Sequence, residues 1–201
     1  AGSSSTANRA LANAIKTNAI DDLARNFKKE GSFDTHFSVE TTKQNIHNQK
    51  SSGRCWLFSG LNVLRSNFAR KHKDTLRVEL SHVYLSFHDQ LEKANLMLQG
   101  VIDNANKPMD NPMVQFFFKS PIGDGGTFCG VADLVDKYGL VPMEVMPESY
   151  SAENTSRMAK IVSSKLREYG LELRKMVADK KSKAAIKARK TEMLGSIYRI
   201  L

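Results

Sequence analysis

The sequence predicts a mostly α-helical chain. Two features carry that reading: apolar residues return at three- and four-residue spacing through several long segments, and residues that start and stop helices stand at the ends of those segments. A third feature, segregation of charge, divides the chain. Between Arg157 and Arg199 thirteen Lys/Arg face four Asp/Glu, which accounts for the whole net charge of +9. The basic segment is therefore read as a separate structural unit.

Taken in order, residues 1–20 are rich in Ala, Asn and Ser, with a weak helical pattern. Residues 21–29 read as a helix with Leu23 and Phe27 on one face and Gly31 as its stop. Residues 33–46 read as extended or irregular. A polar, turn-forming loop at 48–53 leads into a strong helix over Cys55–Lys71, where Trp56, Leu57, Leu61, Leu64 and Phe68 form a buried stripe. The next helix spans 81–99, with Ser81 as N-cap and Tyr84, Phe87, Leu91, Ala94 and Leu98 inward. Prolines and glycines crowd residues 107–126, so this stretch reads as loop with one short helix. Residues 127–138 read as a helix with Phe128, Val131, Leu134, Val135 and Tyr138 inward and Gly139 as its C-cap. Residues 140–150, with Pro142 and Pro147, read as extended. From about 152 a long basic helical segment follows, broken near Gly170.

Composition bounds the function classes. Hydrophobic residues make up 41% and charged residues 25%, the profile of an ordinary globular protein. No stretch approaches the roughly 18 apolar residues of a membrane helix. The start, Ala1-Gly2-Ser3-Ser4-Ser5-Thr6, lacks the basic and apolar regions of an intact signal peptide. Cys55 and Cys129 are too few for a disulfide framework, so a reducing, cytoplasmic location is expected; one disulfide between them is the alternative, and an exported location requires a leader already removed. The cysteines and histidines show no zinc-like spacing, and neither a metal nor a cofactor is expected.

The chemistry concentrates at Asn48-Gln49-Lys50-Ser51-Ser52-Gly53-Arg54-Cys55-Trp56. A polar loop delivers a cysteine to the first turn of a buried helix, where unpaired N–H groups and the helix dipole favour negative charge. A thiol there is a candidate nucleophile. Gln49, six residues upstream, can fold its amide back toward the sulfur. With the Cys55 backbone N–H it would hold the oxyanion of an acyl-transfer intermediate. The competing reading is a buried structural cysteine.

The string Ser52-Gly53-Arg54-Cys55-Trp56 behind Gln49 resembles the active-site segment of papain-like cysteine peptidases. Ser52 replaces the cysteine that forms a disulfide in secreted members. The wording is closer still to the bleomycin hydrolase / aminopeptidase C branch. Glu79-Leu80-Ser81, Gly123-Asp124-Gly125-Gly126, Lys137-Tyr138-Gly139-Leu140-Val141-Pro142 and Pro147-Glu148-Ser149-Tyr150 are similar to that branch too.

The resemblance implies an α+β papain-like fold to which this chain supplies mainly the helical lobe. Residues 1–47 would be an N-terminal arm packing across the fold, 48–150 the helical lobe with its nucleophile helix, and 151–201 a basic helical insertion. It implies a thiol aminopeptidase acting on short peptides, with Cys55 as nucleophile and Gln49 in the oxyanion hole. Asp124, Gly125, Gly126 and Trp56 would stand at the substrate cleft, although Trp56 reads better as core and the glycines equally well as a tight turn. A homohexamer is implied as well.

The mechanism also needs a histidine base and an orienting asparagine, which in this family follow well downstream. The histidines here are His36, His47, His72, His82 and His88, and no asparagine follows Asn154. His47, eight residues before Cys55, is a weak substitute; His72, His82 and His88 read as helix-surface or cap residues. The expected partner is therefore a C-terminal half of the same enzyme, carrying both groups. A rival reading is an inactive half-enzyme whose basic helix, around Lys180-Lys181-Ser182-Lys183 and Lys187-Ala188-Arg189-Lys190, binds nucleic acid or serves as a scaffold. No aromatic residue interleaves these cations, which weakens single-strand stacking and leaves a solvated face as the favoured reading.

Overall fold

Short polar side chains cap helices at the predicted starts, Ser81 and Thr127, and at three starts that the sequence pattern did not name. Ser81, Asn111, Thr127, Ser149 and Ser182 each accept a hydrogen bond from a backbone N–H two or three residues on. The computed structural model describes residues 5–32, 34–41, 43, 45–73 and 78–201. Phe33, Thr42 and Gln44, part of the stretch read as extended, lie outside these. The chain divides into two units, Ala1–Glu40 and Thr41–Leu201.

The first unit carries α1 (Thr6–Thr17), α2 (Ile20–Ala24) and α3 (Phe27–Glu30), none with a buried residue. The single helix read over 21–29 is thus two short ones. Arg25 and Asn26 interrupt it in non-helical conformations.

The second unit holds α4 (Cys55–Lys71), α5 (His82–Asp103), α6 (Pro112–Lys119), α7 (Phe128–Tyr138), α8 (Tyr150–Glu153), α9 (Ser156–Ala178) and α10 (Lys183–Ile200). Among the described residues there is no strand, only two isolated bridges, Ser51 with Asn154 and Leu80 with Pro142. None of these helices is long and apolar enough to cross a membrane.

Helix α5 is central because it has apolar residues nearly all round. One side joins α4 and α7 over Leu57, Leu61, Leu80, Leu85, Val131 and Leu134. The other meets the α9–α10 hairpin over Ala94, Met97, Leu98, Val101, Val162, Leu166, Leu173, Met193 and Ile197. Gly60 lets α4 and α7 cross closely: a Cβ there would lie 2.7 Å from a Val131 methyl.

Three readings are corrected. Phe68 and Phe128, placed inward by their spacing, are 37% and 60% exposed. The α4 stripe instead turns Arg65 inward, at 2% exposure. The basic helix does not break at Gly170, which lies inside α9 with the Phe118 ring 3.0 Å from where a Cβ would stand. It breaks at 179–182, where Lys180 adopts a left-handed φ of 57°, the Lys181 N–H donates back to Met176 O, and Ser182 caps α10.

Candidate active site

Cys55 is the first residue of α4 and is exposed. No side chain caps this helix start: Arg54, in the N-cap position, sends its guanidinium into the interior. The Leu57 and Phe58 N–H groups donate to Arg54 O, so the N–H groups of Cys55 and Trp56 are the ones the helix itself does not use, as donors for an anion beside the sulfur. Cys129, also exposed, is free, so the disulfide alternative falls.

The loop before Cys55 is closed on itself. Lys50 takes a left-handed φ of 54°, and its N–H donates to Asn48 Oδ1 at 2.8 Å. The Gln49 amide donates to Ser52 O at 2.6 Å, and Ser52 Oγ donates to Gln49 O at 2.7 Å. An amide nitrogen carries two N–H groups, so one remains for a ligand. Gln49 is therefore folded back against the residues just ahead of Cys55.

The glycine loop is fixed from three sides. Asp124 Oδ2 accepts from the Gly53 N–H at 3.0 Å and from Thr155 Oγ1. Its carbonyl accepts from Trp56 Nε1 at 2.6 Å. Lys93 on α5 donates to Gly123 O at 2.8 Å and Gly125 O at 2.7 Å while paired with Asp89 at 2.6 Å. Desolvation raises the Asp89 carboxyl above its ordinary value, opposed by its bonds to Lys93. Gly126 lies flat on the indole, its Cβ position 2.5 Å from Trp56 Cε2, whereas nothing lies within 4 Å of the Gly125 position. Asp124 and Trp56 thus brace Gly125 and Gly126 against the start of α4, and Gly125 carries the open face. Lys93 was not singled out from the sequence. In the sequence it is one lysine beside Glu92 on α5, and the loop carbonyls it binds lie some thirty residues on.

Beneath the site lies an ionic layer. Arg54, 1% exposed, donates from Nη1 and Nη2 to the two Glu148 oxygens at 3.2 and 2.8 Å, and from Nε to Ser52 Oγ at 2.9 Å. Arg65 donates to Val78 O, Asn62 Oδ1 and Glu79 Oε1 at 2.9–3.1 Å. Between them His82, read as a surface or cap residue, is 1% exposed and stacked on Phe58 at 3.8 Å. Burial first, then the charges of His47, Arg54 and Arg65, lower its pKa to about 3. It is the first residue of a helix whose buried face begins at once.

No base stands with Cys55 among the histidines of this unit. His47 has Arg65 at 2.9 Å from Nδ1 and Glu79 at 3.0 Å from Nε2. His88 stacks on Tyr138 at 3.8 Å. His72 follows the far end of α4, about 25 Å along the helix axis from Cys55.

The comparisons with known proteins follow the same lines. The family model described as Peptidase C1-like family matches residues 2–201. Aminopeptidase C of Lactobacillus delbrueckii subsp. lactis is 39% identical over 190 residues, covering 94% of this chain and 42% of that protein. Bleomycin hydrolase of Homo sapiens is 40% identical over 158 residues, 78% of this chain and 34% of that protein. The crystal structure of PepW from Lactobacillus rhamnosis superposes with a TM-score of 0.90 at 38% identity, over 98% of this chain and 44% of that one. The chain spans less than half the length of these relatives.

Proposed function

The chain belongs to the peptidase C1-like family, as the helical lobe of a papain-like fold, and from that premise we propose that it is the nucleophile-bearing part of a thiol aminopeptidase. Cys55 attacks the carbonyl carbon of the scissile bond as a thiolate. The oxyanion forms against the Cys55 N–H and the free amide N–H of Gln49. The C–N bond breaks, the leaving amine takes a proton from a histidine, and water then hydrolyses the thioester. The histidine and its asparagine come from a C-terminal part. Gly125 and Gly126 offer backbone to an extended peptide. The observation that carries the reading is an exposed cysteine at an uncapped helix start with Gln49 folded against the loop ahead of it.

The relatives' names, aminopeptidase C and bleomycin hydrolase, support removal of N-terminal residues from short peptides. In the enzyme assembled with its C-terminal part, Cys55→Ala abolishes hydrolysis of an aminoacyl-coumarin; retained turnover overturns the proposal. N-acetylation of that substrate should block cleavage in the wild type, and equal cleavage of the blocked compound makes the enzyme an endopeptidase instead. By the same resemblance the assembled enzyme is a cytoplasmic homohexamer, which light scattering tests for oligomeric state.

The nucleic-acid reading has less support. Arg189 is held by Glu172 and Glu192 and Lys190 by Gln99, so part of the basic face is already partnered within the chain. Binding to random DNA that collapses with added salt, without Cys55 reactivity, would favour it instead.

A further inference from the structure

Arg54 stands between the two proposed oxyanion donors. Its backbone precedes Cys55. Its Nε donates to Ser52 Oγ at 2.9 Å, and that hydroxyl donates to Gln49 O at 2.7 Å. Its remaining nitrogens grip Glu148 two-pronged, and the plane lies over the Phe58 ring at 5.1 Å. Glu148 is anchored in turn: Ser81, the cap of α5, donates to Met146 O, and Ser149 caps α8. The start of α4, the Gln49 loop and the segment before α8 thus meet on one guanidinium.

Such a pair is a poor device for stability. Desolvating both charges largely cancels their attraction, and an apolar filling of equal volume often does as well. What a buried fork supplies is direction: its N–H donors sit at fixed angles, which a lysine or a hydrocarbon does not match. We infer that Arg54 and Glu148 are positioning residues, acting through Ser52 and the backbone of Cys55 to hold the Gln49 amide and the Cys55 N–H at the separation that fits a tetrahedral oxyanion. Neither touches substrate. The inference rests on the proposed roles of Cys55 and Gln49.

The test uses the assembled enzyme with Glu148→Gln, Arg54→Lys and Arg54→Met. Three quantities are read: kcat and KM on an aminoacyl-coumarin, the inhibition constant of the matching aminoacyl aldehyde, and the rate of Cys55 alkylation by iodoacetamide. The aldehyde forms a tetrahedral adduct that uses the oxyanion site; alkylation does not. We expect kcat to fall about tenfold or more, KM to stay within about twofold, the aldehyde to weaken by the same factor as kcat/KM, and alkylation to be unchanged. Glu148→Gln keeps the shape of the site and carries the test if Arg54→Met fails to fold. Unchanged kcat and aldehyde affinity in Glu148→Gln and Arg54→Lys overturn the inference, as does an equal fall in alkylation. If Cys55→Ala retains hydrolysis, the reading of the site fails first; if that variant is dead while these keep full kcat, the positioning role alone is wrong.

Discussion

The two interiors that share α5 are built on opposite principles. Against α9 and α10 it buries hydrocarbon: Met97, Leu98, Val101, Leu166, Leu173, Met193 and Ile197 form one buried apolar cluster. Against α4, a few residues away, the apolar layer of Leu57, Leu61, Leu85 and Val131 is backed by two buried arginines and a buried histidine. Hydrocarbon packing is non-directional and supplies stability in proportion to area. Charged, hydrogen-bonded interiors supply little net stability but fix angles. The directional interior lies under the proposed nucleophile, and the hydrocarbon interior lies where a hairpin only has to be held.

Arg65→Met should break the first interior most sharply. The side chain makes bonds to Val78 O, Asn62, His47 and Glu79 with its guanidinium fully enclosed. Removing it takes the full charge away from the partly buried Glu79 carboxylate, leaving it His47 and Asn45, and takes the donor from the Val78 carbonyl. The expected loss is about 3–5 kcal/mol, measured by urea unfolding of the assembled enzyme. The double variant with Glu79→Gln should cost clearly less than the sum of the singles. A cost under about 1 kcal/mol would mean that the layer behaves like hydrocarbon and would end the distinction drawn above.

Leu166→Ala probes the other side. Leu166 is completely buried between α5 and the α9–α10 hairpin, and truncation should cost about 2–5 kcal/mol according to how far the site collapses. The sharpening measurement is activity per folded molecule. It should match the wild type, because the links from α9 to the Cys55 loop run from its start, through the Ser51–Asn154 bridge and the Thr155–Asp124–Gly53 bonds, and not from Leu166. A fall in kcat at temperatures where the variant is fully folded would tie the hairpin to the catalytic geometry.

The legible parts of this fold were those written in local chemistry. The limits of α4 and the start and end of α7 follow from short-range signals: Thr127 capping, Gly139 at a φ of 74° and strong apolar spacing. Ser81 marked the start of α5 in the same way, though the helix runs on to Asp103. Gly170 was misread because a glycine relieves a packing clash as well as a backbone angle, and the Phe118 ring that explains it comes from a distant segment. Asp179 to Ser182 held the true break, with Ser182 as the readable cap. Arg54, Arg65 and His82 were illegible for a deeper reason. Polar residues predict exposure until their partners are known, and Glu148 and Glu79 reach them across 94 and 14 residues. At the site itself, Cys55 and Gln49 stood out in one contiguous string, whereas the Lys93 bonds to the glycine loop span some thirty residues.

His82 gives the smallest effect at neutral pH and the finest test. It lies 3.9 Å from Glu148, whose charge favours the protonated ring, but burial and the neighbouring His47, Arg54 and Arg65 oppose protonation and prevail, leaving a pKa of about 3. The unfolded chain, with an ordinary value near 6.5, therefore binds a proton that the folded state refuses between those limits. Stability from this residue is full above about pH 6.5 and declines by about 1.4 kcal/mol per pH unit as pH falls toward 3. His82→Phe keeps the stack on Phe58 and removes two ring nitrogens that have no hydrogen-bond partner among the described residues. It should lie within about 1 kcal/mol of wild type at pH 7 and gain on it steadily as the solution is acidified. The difference between the two proteins, read from urea midpoints at about pH 7, 5.5 and 4.5, cancels the carboxylates common to both. Parallel curves would mean that Glu148 holds His82 charged in the fold, and that the layer under Cys55 carries one more positive charge than its burial allows.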